Sequence, residues 1–132
     1  MTVRFLVEES SATVFEVAVP VDAMMPAPHS HDGFEETVYG LEGTTSYTID
    51  GEQVEIGRGD AVCVKRGSVH GFVNSGTTDA KFLAIASPGV FGSSFFRDIG
   101  GVLAESAGGP PDRDAIGEVM RKHGLTPAPP PA

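Results

Sequence analysis

Short runs in which apolar and polar residues alternate fill the first two thirds of the chain. Each run is rich in β-branched residues and is interrupted by Gly, Pro, Asn or Asp within a few positions. Period-two alternation with turn residues at this spacing is typical of an antiparallel sandwich or barrel. The predicted strands are residues 14–19, 36–41, 44–49, 53–56, 61–64, 69–73 and 81–86.

A hairpin turn is predicted inside this region. Asp50-Gly51 separates the strand-like runs 47–49 and 54–56. Both turn residues tolerate the positive φ that a two-residue hairpin requires.

The periodicity changes after Pro88-Gly89. Apolar residues then recur at four-residue spacing, which predicts one helical face despite the weakening effect of Gly100-Gly101. The residues of this face are Phe91, Phe95, Ile99 and Leu103.

A second helix is predicted beyond the loop at 106–111. Asp112 or Asp114 can cap its start, and Gly124 is placed to end it. Its apolar face comprises Ile116, Val119, Met120 and His123. The proline-rich tail at 126–132 cannot continue a helix and is expected to be extended.

Charge excludes some classes of protein. The chain has 132 residues, and 9 Lys+Arg against 18 Asp+Glu give a net charge of −9. Because the basic residues are scattered, no basic stripe exists to bind nucleic acid. No apolar stretch approaches the roughly 18 residues that span a membrane.

Cysteine content and the start of the chain suggest a compartment. The single cysteine, Cys63, excludes an internal disulfide framework and is expected to be a small buried residue. Residues 1–11 lack the basic start and apolar run of a signal peptide. We therefore expect a cytoplasmic protein.

Three of the four histidines fall in or beside predicted strands. His29 and His31 are two residues apart, so on an extended chain they share a face, about 6.6 Å apart. Glu36 and His70 lie in the same region. Three neutral imidazoles and a carboxylate suit a divalent first-row ion with positions left open for water or substrate. The fourth, His123, is expected to be a charge partner at a helix C-terminus.

This spacing resembles the first metal motif of the cupin superfamily. That motif is a glycine, five residues, His-x-His, three or four residues, Glu, six residues and Gly. The chain matches it without the leading glycine, through His29, His31, Glu36 and Gly43.

The second cupin motif is also present. It is Gly, five residues, Pro-x-Gly, two residues, His, three residues and Asn, and in this chain Lys65 replaces the proline. The matching residues are Gly59, Gly67, His70 and Asn74.

The resemblance implies an all-β fold, an antiparallel jelly-roll β-barrel with C-terminal helices. The barrel is expected at 1–90 with the metal motifs in 27–74, a helical extension at 91–125 and the tail at 126–132. One divalent transition metal ion (Fe, Mn, Ni, Co, Cu or Zn) would bind inside the barrel. Its implied ligands are His29, His31, Glu36 and His70.

Glu35 competes with Glu36 for the carboxylate position. We choose Glu36 because six residues then separate it from Gly43, as in the motif. If Glu36 faces inward, Glu35 faces solvent and Val38 joins the pocket, because neighbouring strand residues face opposite ways.

Residues in phase with the metal motifs are apolar. They favour an aromatic or otherwise hydrophobic small-molecule ligand over a phosphosugar, which would need clustered Arg or Lys; ordinary core packing is the alternative. They are Met25, Ala27 and Phe72, with Phe34, Tyr47, Ile49 and Leu83 as further expected neighbours.

Three segments after the barrel resemble those of small cupins that are grouped with quercetinases. They are residues 87–89, 95–100 and 124–125. This resemblance implies a metal-dependent dioxygenase in which Glu36 takes a proton from a bound enol or phenol. Two alternatives stay open, a non-catalytic module that binds metal or a small molecule, and an isomerase or lyase using Glu36 as acid or base. Acid is expected to displace the metal near pH 6.5, where free histidines take up protons.

A homodimer is also expected, because cupins commonly form one. The segments 3–7 and 14–19 would pair across the two-fold axis. The alternative is that 3–7 forms an edge strand within the chain.

Overall fold

The computed structural model describes residues 1–23, 25 and 27–129. Residues 130–132 of the predicted tail lie outside this range. The described elements, in chain order, are β1 (Thr2–Val7), β2 (Thr13–Val19), β3 (His29–His31), β4 (Glu35–Glu42), β5 (Thr45–Ile49), β6 (Glu52–Ile56), β7 (Ala61–Val64), β8 (His70–Val73), β9 (Ala80–Ser87), α1 (Ser93–Glu105), α2 (Arg113–Lys122) and β10 (Leu125–Pro127).

The strands form two five-stranded antiparallel sheets. The first has the order β1-β2-β9-β4-β7, and the second has the order β10-β3-β8-β5-β6. Strands β2 and β9 alternate strictly between buried and partly buried residues, so one face of the first sheet is turned to the interior. The all-β jelly-roll with C-terminal helices is therefore confirmed.

The predicted hairpin is present. Asp50 and Gly51 have φ values of 49° and 85°, and Ile49 pairs with Glu52 across the turn. The seven predicted strands all occur, and none of their ends differs by more than one residue.

The expected pairing of 3–7 with 14–19 across a two-fold axis is wrong. Strand β1 pairs with β2 of the same chain, and β2 pairs with β9 on its other side. Both edges of β2 are therefore used within the chain, and β1 is the edge strand.

The helices follow the sequence pattern with local differences. The Asp112 carboxylate accepts the N–H of Ala115 at 3.1 Å, so Asp112 is the N-cap of α2. Met120 is buried, whereas Leu103 of the predicted first face is 45% exposed. Neither described helix has the length and apolar character needed to cross a membrane.

The start of the predicted tail joins the barrel. In β10, Leu125 lies opposite His31 and Pro127 lies opposite His29, so this short strand extends the second sheet. The Thr126 hydroxyl also donates to the Asp32 carboxylate at 2.9 and 3.1 Å. The C-terminal segment therefore holds the strand that carries two of the predicted metal ligands.

Candidate metal centre

The three predicted histidine ligands converge in the second sheet. His29 of β3 lies opposite His70 of β8, and His31 lies two residues along β3 on the same face. One ring nitrogen from each lies within 4.8 Å of the others. Such a group of imidazoles could hold a metal ion.

Backbone carbonyls fix the tautomers of two of these rings. His29 Nδ1 donates to the Ala27 carbonyl at 2.8 Å, and His70 Nδ1 donates to the Ser68 carbonyl at 3.0 Å. In a neutral imidazole this leaves Nε2 with its lone pair free for coordination.

His31 is the most deeply placed of the three. It is 2% exposed, and its Nδ1 is buried without a hydrogen-bond partner among the described residues. Its Nε2 lies 3.9 Å from Glu36 Oε2, which is beyond hydrogen-bond distance. The Phe34 ring stacks on it, with the two centroids 4.3 Å apart.

Glu36 approaches the cluster from the opposite sheet. It is 9% exposed and lies beside Ala86 and Val64, both fully buried. Burial among these apolar neighbours raises the pKa of Glu36 to about 7. As expected, Val38 is also buried, while Glu35 is partly exposed.

Burial acts on the histidines in the opposite direction. It lowers the pKa of His29 to about 4, with repulsion from His70 as the second cause. It lowers the pKa of His31 to about 2, helped by His70 and His29, and it also lowers the pKa of His70. The value near pH 6.5 expected from free histidines does not describe these buried rings.

These residues fit a divalent transition metal ion. Burial lowers the pKa of all three imidazoles and so favours the neutral form that coordination requires, and His31 Nδ1 lacks a hydrogen-bond partner within the described residues. His29, His31 and His70 would hold the ion, with Glu36 beside His31 as the fourth candidate. Fe, Mn, Co, Ni, Cu and Zn all accept such ligands.

The interior around the cluster is apolar, with two corrections to the predicted lining. Leu83 alternates out of phase with the buried Phe82 and Ala84, so it lies on the outer face of β9. Ala27 is exposed. The other five lie in or against the core, namely Met25, Phe34, Tyr47, Ile49 and Phe72.

The sequence pattern missed one ring near the site. Phe91 precedes α1, and its ring centroid lies 5.1 Å from that of Phe34 and 6.4 Å from that of His31. The four-residue spacing between Phe91 and Phe95 predicted that Phe91 lies on the face of the first helix, whereas α1 begins only at Ser93. Cys63, expected to be buried, is only partly so.

His123 lies apart from the cluster. Its Nε2 is 2.8 Å from Asp98 Oδ2, which links the end of α2 to α1. Two surface depressions, of about 600 Å³ beside these helices and about 520 Å³ near Glu8, have none of the cluster residues in their walls. The candidate site is therefore identified by the convergence of its histidines and not by either of these depressions.

The family follows from fold, site and sequence together. A family described as Cupin domain matches residues 15–86. The chain belongs to this family.

Individual relatives are more distant. The chain is 34% identical over 73 residues to quercetin 2,3-dioxygenase of Bacillus subtilis (strain 168), a match that covers 54% of this chain and 21% of that enzyme. The chain thus spans about a fifth of this curated relative.

Solved structures share the barrel. The polyketide cyclase RemF from Streptomyces resistomycificus is 28% identical with a TM-score of 0.58, over 64% of this chain and 63% of that one. KdgF from Halomonas sp. is 21% identical with a TM-score of 0.60, over 65% and 76% of the two chains. The second likeness concerns the fold alone.

Proposed function

We propose that this cupin is a metal-dependent dioxygenase acting on an aromatic or enol-type small molecule. The observation that carries the proposal is the convergence of three neutral imidazoles beside a buried carboxyl group. A transition ion bound there supplies Lewis acidity and the redox chemistry that dioxygen reactions need. The match to quercetin 2,3-dioxygenase supports this reaction class.

Glu36 is the proton acceptor in this proposal. A general base must lie close to the hydroxyl that it deprotonates, and Glu36 Oε2 lies 3.9 Å from His31 Nε2 at the cluster. The carboxylate would take the proton of a phenol or enol hydroxyl bound beside His31.

Apolar rings select the ligand and exclude water. Phe34 stacks on His31, and Phe91 packs against Phe34. A planar aromatic molecule gains dispersion and stacking contacts in such surroundings, whereas a phosphorylated sugar finds no cluster of basic groups among the residues described around the site.

Oxygen uptake tests the proposal. Protein loaded anaerobically with Fe(II), Mn(II), Co(II), Ni(II) or Cu(II) is mixed with quercetin and then with oxygen in an oxygen electrode. We expect uptake with at least one ion, and Glu36→Gln should lower kcat by about 100-fold or more.

The matched control is Glu35→Gln, next to Glu36 in sequence and partly exposed, which should keep its rate. Absence of oxygen uptake with every ion, for quercetin and for simpler flavonols and catechols, would contradict the dioxygenase.

A second candidate is an isomerase, lyase or cyclase that needs no oxygen. A buried carboxyl group beside the histidine cluster can act as acid or base on a bound molecule, and the likeness to a polyketide cyclase points the same way. Substrate conversion under nitrogen at an unchanged rate would favour this candidate. A protein that binds metal and ligand but converts neither in air nor under nitrogen would be the non-catalytic module.

We propose, in addition, that the protein forms a homodimer through β1. This strand is at the edge of its sheet, and Leu6 and Val7 are each 43% exposed. An unpaired apolar edge is a ready site for a second copy. Sedimentation that shows only monomer at micromolar concentration would contradict the dimer.

A further inference from the structure

Tyr47 lies inside the barrel, one row away from the histidine cluster. In the second sheet His29 lies opposite His70, which lies opposite Ile49. Two residues along the same strands, Phe72 lies opposite Tyr47. Because residues two apart on a strand share a face, Tyr47 faces the same interior as the cluster, about 6.6 Å along the strand.

The ring of Tyr47 is used in packing, but its hydroxyl is not. The residue is 0% exposed, and its ring centroid lies 5.2 Å from that of Phe72 and 5.6 Å from that of Phe82. No residue within 1–23, 25 and 27–129 offers the hydroxyl a hydrogen bond. Phenylalanine would make the same ring contacts without burying a polar group, so packing does not account for the hydroxyl.

The hydroxyl shares the interior with Glu36. On the inner face of the first sheet, Ala86 and Ala84 lie beside Glu36 and Val38, and all four residues are buried. Burial holds the pKa of Tyr47 well above its usual value, and the negative charge of Glu36 raises it further. The hydroxyl therefore stays protonated and is available as a donor.

We propose that Tyr47 is a substrate-binding residue whose hydroxyl donates a hydrogen bond to an oxygen atom of the small molecule held at the histidine cluster. This inference rests on the proposed function, because that cluster anchors the molecule. The ligand class is a planar compound with two neighbouring oxygen atoms, such as an enol hydroxyl next to a carbonyl. One oxygen lies at the cluster beside Glu36, and the other accepts from Tyr47.

The tyrosine content makes this contact observable. The chain has 2 tyrosines and no tryptophan, and the second tyrosine, Tyr39, is 43% exposed on β4. Tyr39→Phe therefore leaves Tyr47 as the single tyrosine. Labelled with carbon-13 at Cζ and loaded with diamagnetic Zn(II), this variant gives one tyrosine resonance by NMR.

The probe is 3-hydroxyflavone, a fluorescent flavonol with adjacent hydroxyl and carbonyl oxygens. We expect the Tyr47 resonance to move when the flavonol is added to the Zn(II)-loaded protein. Tyr47→Phe should bind the flavonol about 5- to 10-fold more weakly, which corresponds to one hydrogen bond, while Tyr39→Phe should bind it like the wild type.

Stability of the ligand-free protein gives an independent readout. Because Tyr47→Phe removes a buried hydroxyl without a protein partner, its Tm should rise by a few degrees relative to the wild type. A lower Tm would show that the hydroxyl has a structural partner, such as an internal water, and would overturn the proposal.

The remaining outcomes separate the two proposals. Equal flavonol affinity of Tyr47→Phe and the wild type, or an unmoved resonance, overturns the role of Tyr47 and leaves the dioxygenase standing. A wild-type Zn(II) protein that fails to bind the flavonol contradicts the flavonol-type substrate itself, and the donor role with it.

Discussion

At the scale of single residues, burial removes charge from the centre. It lowers the pKa of the three histidines and raises that of Glu36, because each group is less stable when charged in an apolar interior. Near neutral pH and without metal, the histidines are therefore neutral and Glu36 is partly protonated. A bound cation would reverse this for Glu36 alone, since the imidazoles already have the protonation state that coordination needs.

Proton release on metal binding follows from these values. At pH 6 the wild type should release close to one proton more per Zn(II) ion than Glu36→Gln, because Glu36 is then mostly protonated in the metal-free protein. The histidines are present in both proteins and cancel in this difference. Calorimetry in buffers of different ionisation enthalpy measures both, and equal release by the two proteins would argue against Glu36 as a ligand.

The stability of the metal-free protein should also depend on Glu36. Its folded pKa of about 7 lies above the unfolded value of 4.5, so stability is fully present below pH 4.5 and is lost as the pH rises to 7. The loss is about 3 kcal/mol. The free energy of unfolding of Glu36→Gln, measured with urea, should not show this decrease between pH 4.5 and 7. The histidines contribute with the opposite sign but equally in both proteins, so the difference isolates Glu36.

At the scale of elements, alternation predicted β4 and β8 at the site, but neither β3, which carries His29 and His31, nor β10, which pairs with it. Strand β10 is three residues long and contains Pro127, which disfavours a strand, and its partner β3 lies near the other end of the chain. It pairs with β3 and contacts α2, and the pairing with β3 is a tertiary contact that no local pattern records.

One hydrogen bond between β10 and the end of β3 can be removed by a single substitution. Thr126→Val removes the hydroxyl that donates to Asp32, the residue after His31. We expect metal affinity to fall by about 3- to 10-fold, since groups that orient ligands affect affinity indirectly. Competition with a chromophoric chelator measures this. Thr77→Val, in an exposed loop, is the control, and equal affinities would exclude a role for the Thr126 contact.

At the scale of the whole molecule, the candidate ligands connect the two sheets. Three histidines belong to the sheet of β3 and β8, while Glu36 belongs to the sheet of β4. Sequence spacing predicted that the three histidines converge with Glu36 beside His31, because the motif fixes their order on the strands. It could not predict the carbonyls that set the tautomers, the unpaired Tyr47 hydroxyl or the outward side of Leu83, which depend on strand register and backbone position.

Metal should therefore stabilise the entire fold. Free Zn(II) at 100 times its Kd adds about 2.7 kcal/mol, or roughly 5–10 °C in Tm for a domain of this size. His31→Ala should abolish the increase. His123→Ala, which alters a histidine outside the cluster, should retain the increase. If Zn(II) does not change the Tm of the wild type, the folded protein has no metal site.

The pairing of β10 with β3 also sets an order of events during synthesis. His29 and His31 leave the ribosome early, but the strand that borders them on one side is made only when residues 125–127 emerge. A metal ion bound at the proposed centre would thus reach its final surroundings only after this region is translated, and a nascent chain arrested before Leu125 would present its two histidines on an unprotected sheet edge.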